Sequence, residues 1–324
     1  MCLSVWYTFE ECAPTELKFI LLFNRDEFLN RKTSKLHRWP GSSIMAGKDE
    51  DEKRVAMGEN GTWLGINYKT GRVAWLTNRL QPGLLVPPQF RERKGLKPAP
   101  LDHTKKSRGL LVPELLKLDK DYFIEDYLID LDMSPYGDCN LMVTDDDFKV
   151  FCKSDSNNLK QFPDLTSQSM SNSPDGTKIW KKQKMAQKLL NSLVESYSEQ
   201  NKKVDENFIE NCFQILENKH SIDTLDEDIA SKMTMEDLFI ISDKDKKFCE
   251  NYQQIFQDHK GDEFEGKYGT RSSTLVFVYR LKDKVKIIER TGKLESNVQV
   301  EGCPILKRDV RSGPFEGGTE VRFG

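Results

Sequence analysis

The chain has 324 residues, enough for one large domain or two small ones with a proper core. Lysine and arginine number 49 against 52 acidic residues, so a formal charge of −3 offers no footprint for nucleic acid and no reason to expect a membrane-surface binder. Seven cysteines, an odd number at irregular spacing, argue against a disulfide framework and for a reducing compartment.

No stretch approaches the run of about 20 apolar residues that a membrane helix requires, so no transmembrane segment is expected. The start, Met1-Cys2-Leu3-Ser4-Val5-Trp6-Tyr7, lacks a basic region, and Glu10 and Glu11 follow too soon for a signal peptide. Methionine is clipped where the next residue is small, and cysteine qualifies, so removal of Met1 would leave Cys2 first.

In chain order, Leu3 to Thr8 is apolar and β-prone, Glu10 to Thr15 reads as a hairpin loop, and Leu17 to Phe23 is a continuous apolar run of the kind found in strands buried on both faces. Thr62 to Tyr68 and Arg72 to Thr77 flank Lys69-Thr70-Gly71, a tight hairpin with glycine at the special position. Arg91 to Lys97 and Lys105 to Arg108 form a basic stretch, most simply a solvated loop. The spacing of leucines predicts a helix over Ser107 to Leu118, limited or split by Pro113. Cys139 to Val143 and Phe148 to Lys153 form a further hairpin about Thr144-Asp145-Asp146-Asp147.

Thr177 to Tyr197 carries Ile179, Trp180, Leu189, Leu190, Leu193 and Val194 as an apolar stripe beneath a lysine-rich outer face. Val204 to Leu216 is a shorter amphipathic helix. Asn218 to Gly266 is a charged excursion, and Ser273 to Tyr279 with Val285 to Glu289 closes the series as a last hairpin. The tail after Gly302 reads as poorly packed. Antiparallel hairpins at both ends with helices between them predict an α+β fold, with helices outside two stacked sheets. The division expected is a domain over 1–300, with a charged insertion at 218–266 and a tail over 301–324.

The chemistry-bearing candidates begin with Cys2. A cysteine in first position carries a thiol and an α-amine on one framework, and the amine, with a pKa of about 7.7 to 8.0, can act as the thiol's base. The plainer reading is a small apolar residue at the start of a strand. Asn24-Arg25-Asp26-Glu27 follows an apolar strand, where Arg25 and Asp26 can hold a carboxylate or orient an amine through charge-assisted bonds, or form no more than a surface salt bridge. Asn78 at the end of a strand, Asn172 before the long helix and Arg271 before the last hairpin read singly as turn or cap residues. At such places amides can also serve an oxyanion, and an arginine can fix a substrate. The four histidines, His37, His103, His220 and His259, stand alone, and no Cys/His cluster has metal-ligand spacing. Cys12, Cys139, Cys152, Cys212 and Cys249 read as structural. Cys303-Pro304 resembles the dipeptide of haem-responsive segments, though a plain cysteine in the tail is the simpler reading.

Taken together, Met1-Cys2, Phe23-Asn24-Arg25-Asp26-Glu27-Phe28, Gly61-Thr62-Trp63-Leu64-Gly65, Leu76-Thr77-Asn78, Ser171-Asn172 and Tyr268-Gly269-Thr270-Arg271 resemble the NRDE family, which includes the transport and Golgi organisation protein 2 homologues. The resemblance runs from Met1 to about Arg290. It implies a four-layer αββα sandwich of the N-terminal nucleophile hydrolase type. More remotely the order is similar to the penicillin V acylase and bile salt hydrolase group. Carried over, that pattern implies Cys2 as nucleophile, Asp26 orienting the α-amine, Asn172 with Asn78 serving the oxyanion, and Arg25 and Arg271 holding charge nearby. The spacing of Arg25 and Asp26 departs from the acylase pattern.

The family association implies intracellular trafficking or homeostasis of haem or a lipid metabolite, linked to Golgi organisation and secretion, in the cytoplasm with Golgi or mitochondrial association. The alternative is an amide or acyl-thioester hydrolase acting through Cys2. Neither requires a cofactor: haem enters only as a transported ligand, and the expected partner is a small amphipathic molecule, haem or an acyl metabolite. The oligomeric state stays open.

Overall fold

A computed structural model of the chain describes residues 2–11, 13, 15–28, 31–58, 60–79, 105–119, 122–154, 159–172, 179, 181–199, 203–217, 268–280, 285–291 and 294–300. The expectations for the 218–266 insertion and the 301–324 tail fall outside these residues.

Two antiparallel sheets dominate. In the first, β10 (Gln168–Met170), β1 (Leu3–Thr8), β2 (Leu17–Phe28), β11 (Tyr268–Tyr279), β12 (Val285–Thr291) and β13 (Leu294–Val300) lie side by side in that order. The second runs β3 (Thr33–Arg38), β4 (Ile44–Asp49), β5 (Leu64–Asn67), β6 (Val73–Asn78), β7 (Cys139–Thr144), β8 (Val150–Lys153) and β9 (Leu159–Gln161). Strand pairing thus follows chain order in the second sheet, while in the first β2 pairs with β11, which is far from it in sequence.

The alternation of side chains along each strand sorts three cores. On β2, Phe19, Leu21 and Phe23 face the space between the sheets, whereas Ile20 and Leu22 face outward. The inner core joins the sheets through Trp6, whose ring meets Trp75 edge-on at 5.4 Å and Phe162 at 5.0 Å. Outside the first sheet, α4 (Lys181–Glu199) and α5 (Glu206–Glu217) cover Val5, Ile20, Leu22, Leu275 and Phe277. On the outer face of the second sheet, α2 (Leu111–Lys117) and α3 (Ile124–Asp130) cover Ala46, Ala74, Leu76 and Leu141. The order is therefore helix, sheet, sheet, helix, an α+β sandwich. A short helix, α1 (Glu52–Ala56), lies between β4 and β5. No described helix is long and apolar enough to cross a membrane.

Local chemistry explains the boundaries. Asn67 accepts the Lys69 and Thr70 N–H groups at 2.9 and 3.2 Å, shaping the β5–β6 turn that closes at Gly71 with φ 77°. The helix expected over Ser107 to Leu118 is a 3-10 turn at Arg108–Leu110 followed by α2, with Pro113 in its first turn, where the missing N–H costs nothing. On α4 the buried residues Gln183, Ala186, Leu190, Val194 and Tyr197 recur at helical spacing, with Leu189 and Leu193 partly buried beside them. Ile179, assigned to that stripe from the sequence, lies outside the helix and is exposed; Trp180 falls outside the described residues. The larger correction concerns Asn24 to Glu27. They do not follow an apolar strand but continue it as the second half of β2, held in register by β11. Strands β3, β4, β9, β10 and β13 and helices α1 and α3 were not anticipated.

Candidate active site

Extending β2 through Phe28 divides Asn24-Arg25-Asp26-Glu27 between the two faces of the sheet, because successive side chains point in opposite directions. Asn24 and Asp26 face the helix layer. The Asn24 side chain donates to the Leu216 carbonyl at the end of α5 at 2.8 Å and accepts the Ser273 hydroxyl at 2.6 Å. Arg25 faces the other way, toward the second sheet. Its guanidinium lies 4.0 Å from the centroid of the Trp63 ring, and its Nη2 approaches Glu27 at 3.6 Å. Glu27 also neighbours Arg31, which is held by Asp49 at 2.7 and 3.0 Å.

The β1–β2 pairing sets Leu3 opposite Asn24, so one further step brings Cys2 opposite Arg25. Cys2 is buried in the inner core, and its carbonyl accepts the Ser171 hydroxyl at 2.7 Å. Ser171 in turn is fixed through its own carbonyl, which accepts Thr77 Oγ1 at 2.6 Å and Asn140 Nδ2 at 2.9 Å. The next residue, Asn172, is buried and donates its Nδ2 to the main-chain carbonyl of Asn78. The end of β10 is thus tied at once to the start of β1 and to the ends of β6 and β7. This bridge between the two sheets brings Cys2, Asn78 and Asn172 to one place.

Arg271 joins through an irregularity. On β11, Thr270 pairs with Asp26 and Ser272 with Arg25, which leaves Arg271 as the extra residue of a β-bulge. Bulges re-aim side chains, and here Arg271 Nε donates across to Thr33 Oγ1 on β3 at 3.0 Å. Its neighbour Thr270 donates its hydroxyl to Asp26 Oδ1 at 2.7 Å.

Electrostatics follow from burial. Burial pushes the Cys2 thiol above its ordinary value; the chain's terminal ammonium, the Asp26 main-chain N–H and Arg25 oppose the rise, and the Asp26 carboxylate adds to it. Burial alone would also raise Asp26, yet the terminal ammonium, Lys182 and the Thr270 hydroxyl together hold its carboxyl below the usual range. Lys182, in the first turn of α4, is lowered by burial against the pull of Asp26 and Cys2. On Arg25, 4% exposed, Nη1 has no hydrogen-bond partner. An orphaned buried donor costs about 1–3 kcal/mol, and burial depresses this guanidinium's affinity for its proton although Glu27 supports it.

The glycines around Trp63 have a steric cause. A methyl group at Gly61 would stand 2.9 Å from the Gly109 carbonyl carbon, and one at Gly65 would stand 2.8 Å from Leu116 Cδ1. Gly61 therefore lets the Arg108–Leu110 turn pack against the segment that leads through Trp63 into β5, a contact closed by the Thr62 N–H donating to the Gly109 carbonyl at 3.0 Å. The indole of Trp63 in turn needs Gly47, where a Cβ would sit 2.8 Å from the ring.

The sequence matches the family described as Transport and Golgi organisation 2 over residues 1–293. The chain belongs to this family. Among curated proteins, none matches it.

In this Transport and Golgi organisation 2 protein, all the residues singled out from the sequence as a site lie within the matched region. The structure brings Cys2, Arg25 and Asp26 together by strand pairing, joins Asn78 to Asn172 directly, and sets Arg271 in the adjoining bulge. Sequence reasoning missed Lys182, which it placed on a solvated lysine-rich face. Nothing in the run of lysines marks one as inward. It also missed Thr77 and Asn140, whose signal was readable: an asparagine inside the apolar strand Cys139 to Thr144 faces a buried partner. Among the described residues no group of His, Cys, Asp and Glu could hold a metal ion.

Proposed function

We propose that this chain serves transport and Golgi organisation by acting on a small acyl-bearing metabolite at Cys2, as an amidase or thioesterase of the N-terminal nucleophile kind. One observation carries this reading: a buried bridge through Ser171 and Asn172 sets Cys2 against Asn78, while Asp26 and Arg25 reach Cys2 from the next strand. The fold supports it too, since two antiparallel sheets between helix layers are the arrangement such a nucleophile would occupy.

Removal of Met1 gives Cys2 the terminal amine. Sγ then adds to the substrate carbonyl carbon as the thiol proton passes to that amine, held by Asp26. The carbonyl oxygen becomes an oxyanion and accepts hydrogen bonds from amide groups of Asn172 and Asn78. Asn172 already spends one Nδ2 hydrogen on Asn78, which orients the amide and leaves the other for the oxyanion. Collapse expels an amine or thiol, which takes the proton back from the ammonium. Water, deprotonated by the same amine, then splits the acyl–Cys2 bond and restores the thiol.

The experiment is intact and N-terminal peptide mass spectrometry, followed by a panel of acyl amides and acyl thioesters. Loss of Met1, an acyl adduct on Cys2 and loss of turnover in Cys2→Ala are the expected results. Retention of Met1 on the protein would sink the catalytic reading.

A second reading is carriage of haem or a lipid metabolite from the cytoplasm to Golgi or mitochondrial membranes without turnover. Leu36, Met45, Trp63, Leu64, Val276 and Ile287, with Glu289 as the carboxyl, line a void of about 10 Å³ between the sheets, room for a single water, so carriage there would require the sheets to part. Saturable binding that persists in Cys2→Ala, with a stoichiometric haem absorption shift, is its signature.

A further inference from the structure

The core between the sheets is built on apolar side chains such as Trp75 and Met142. Alternation along β6 and β7 turns Thr77 to the same side as Trp75, and Asn140 to the same side as Met142. The two stand opposite each other in the ladder, and with Ser171 they close a triangle that is fully buried. Asn140 Nδ2 donates to the Ser171 carbonyl at 2.9 Å and to Thr77 Oγ1 at 3.1 Å, while Thr77 Oγ1 donates to the same carbonyl at 2.6 Å. At its other end the Asn140 amide oxygen accepts the Ser154 hydroxyl at 2.8 Å, and the Ser154 carbonyl accepts Arg79 Nη1 at 3.0 Å. Both N–H groups and the oxygen of the Asn140 amide are thereby engaged, as are both lone pairs of the Ser171 carbonyl.

What the triangle grips explains its use. Ser171 holds the Cys2 carbonyl through its hydroxyl, and the next residue, Asn172, reaches the main chain of Asn78. Thr77 and Ser171 each precede one of these two asparagines. Fixing 77 against 171 therefore fixes 78 against 172, with Cys2 hung from the same residue. A hydrogen-bonded cluster in a core adds little net stability over apolar side chains of the same shape. Fully satisfied, it specifies one geometry instead.

We propose that Thr77 and Asn140 are positioning residues for the chemistry of Cys2: through the Ser171 carbonyl they set Asn172 and Asn78 at the spacing that an oxyanion formed on Cys2 requires. The inference rests on the reading of Cys2 as a nucleophile and adds what orients its oxyanion donors.

The test sets acetylation of Cys2 by p-nitrophenyl acetate, which passes through an oxyanion, against alkylation by iodoacetamide, which does not. Peptide mass spectrometry on the full chain reads both rates, with Cys2→Ala giving the background at the amine. Their ratio cancels the thiol's own reactivity. In the wild type it should exceed that of a free thiol by about a hundredfold, the least that one oxyanion donor contributes. It should fall by about ten- to a hundredfold in Thr77→Val, which keeps the shape and deletes the hydroxyl, because small misplacements at a reacting centre cost that much. Thr77→Ser should restore it. Asn140→Asp, which keeps the shape but loses the N–H donors, should lower it likewise, and if that variant does not fold the Thr77 pair decides alone. A Thr77→Val ratio equal to the wild type's, or a loss that Thr77→Ser does not restore, overturns the positioning role. So does a wild-type ratio equal to that of a free thiol, and in each case alkylation of Cys2 leaves the nucleophile standing. A Cys2 inert to both reagents in the wild type removes the nucleophile reading and this inference with it.

Discussion

The Arg25 guanidinium lies on the face of the Trp63 indole at 4.0 Å, linking β2 of one sheet to the start of β5 in the other. In a desolvated site such a contact contributes up to about 2 kcal/mol. Trp63→Ala should destabilise the protein by about 3–5 kcal/mol, the usual cost of deleting a buried tryptophan. A double-mutant cycle with Arg25→Met in urea should return a coupling of about 1–2 kcal/mol. Additive effects would mean that the ring and the cation do not depend on each other.

Gly61 and Gly65 should respond differently to alanine. At Gly61 the added carbon meets Gly109 backbone at 2.9 and 3.0 Å, and neither chain can give way easily. Overpacking of this kind costs about 1–3 kcal/mol, and displacing the turn also moves Arg108. At Gly65 the nearest atom is the flexible end of Leu116, so the cost should be smaller. Thermal melts of the two single variants rank them, and a Gly65→Ala loss larger than Gly61→Ala would contradict this account.

The buried thiols fall into an order. Burial pushes Cys139 up to about 12 and Cys152 up to about 11, and raises Cys212 further. Because the thiolate is the reactive form, these three should resist a neutral alkylating agent at about pH 8 until the protein unfolds. Cys2 is also raised by burial, but the terminal ammonium and Arg25 counter that rise, so it should be modified before the other three. Time-resolved peptide mass spectrometry reads the order directly.

Asp26 should leave a signature in acid. Its folded pKa is depressed, so its contribution to stability is fully present above the unfolded value of about 3.9 and is lost as pH falls through the lower folded value. The stability difference between wild type and Asp26→Asn should therefore be flat above about pH 5 and shrink below about pH 4. Lys182→Met removes one of the charges holding Asp26 down and should move the decline to higher pH. A difference independent of pH would mean that folding leaves the Asp26 pKa unshifted.

Much of this architecture was legible because strand and turn chemistry is local. The apolar run Leu17 to Phe23, the glycine at Lys69-Thr70-Gly71 and the leucine spacing before Leu118 each fix an element without reference to the rest of the chain. The polar half of β2 was not legible in that way. Asn24 to Glu27 read as polar residues beyond a strand because their partners Ser273, Thr270 and Trp63 are distant in sequence. Strand β3 (Thr33-Ser34-Lys35-Leu36-His37-Arg38) hides for a similar reason: only Leu36 is buried there, so its pattern does not alternate clearly. Family resemblance gathered Cys2, Asn78 and Asn172 in advance, but only the Ser171 bridge explains what holds them together. Lys182 could not be told from its neighbours by composition, since its direction depends on how α4 docks against β1 and β10.

The burial of Cys2 imposes an order of events. Strand β1 lies between β2 and β10, and the Cys2 carbonyl is already held by Ser171. A peptidase that cuts before Cys2 needs the Cys2 main chain extended in its own cleft, and once β10 is in place the Ser171 hydroxyl competes for that main chain. Any such cut is therefore favoured while the chain is still emerging, before β10 and its bridge are made.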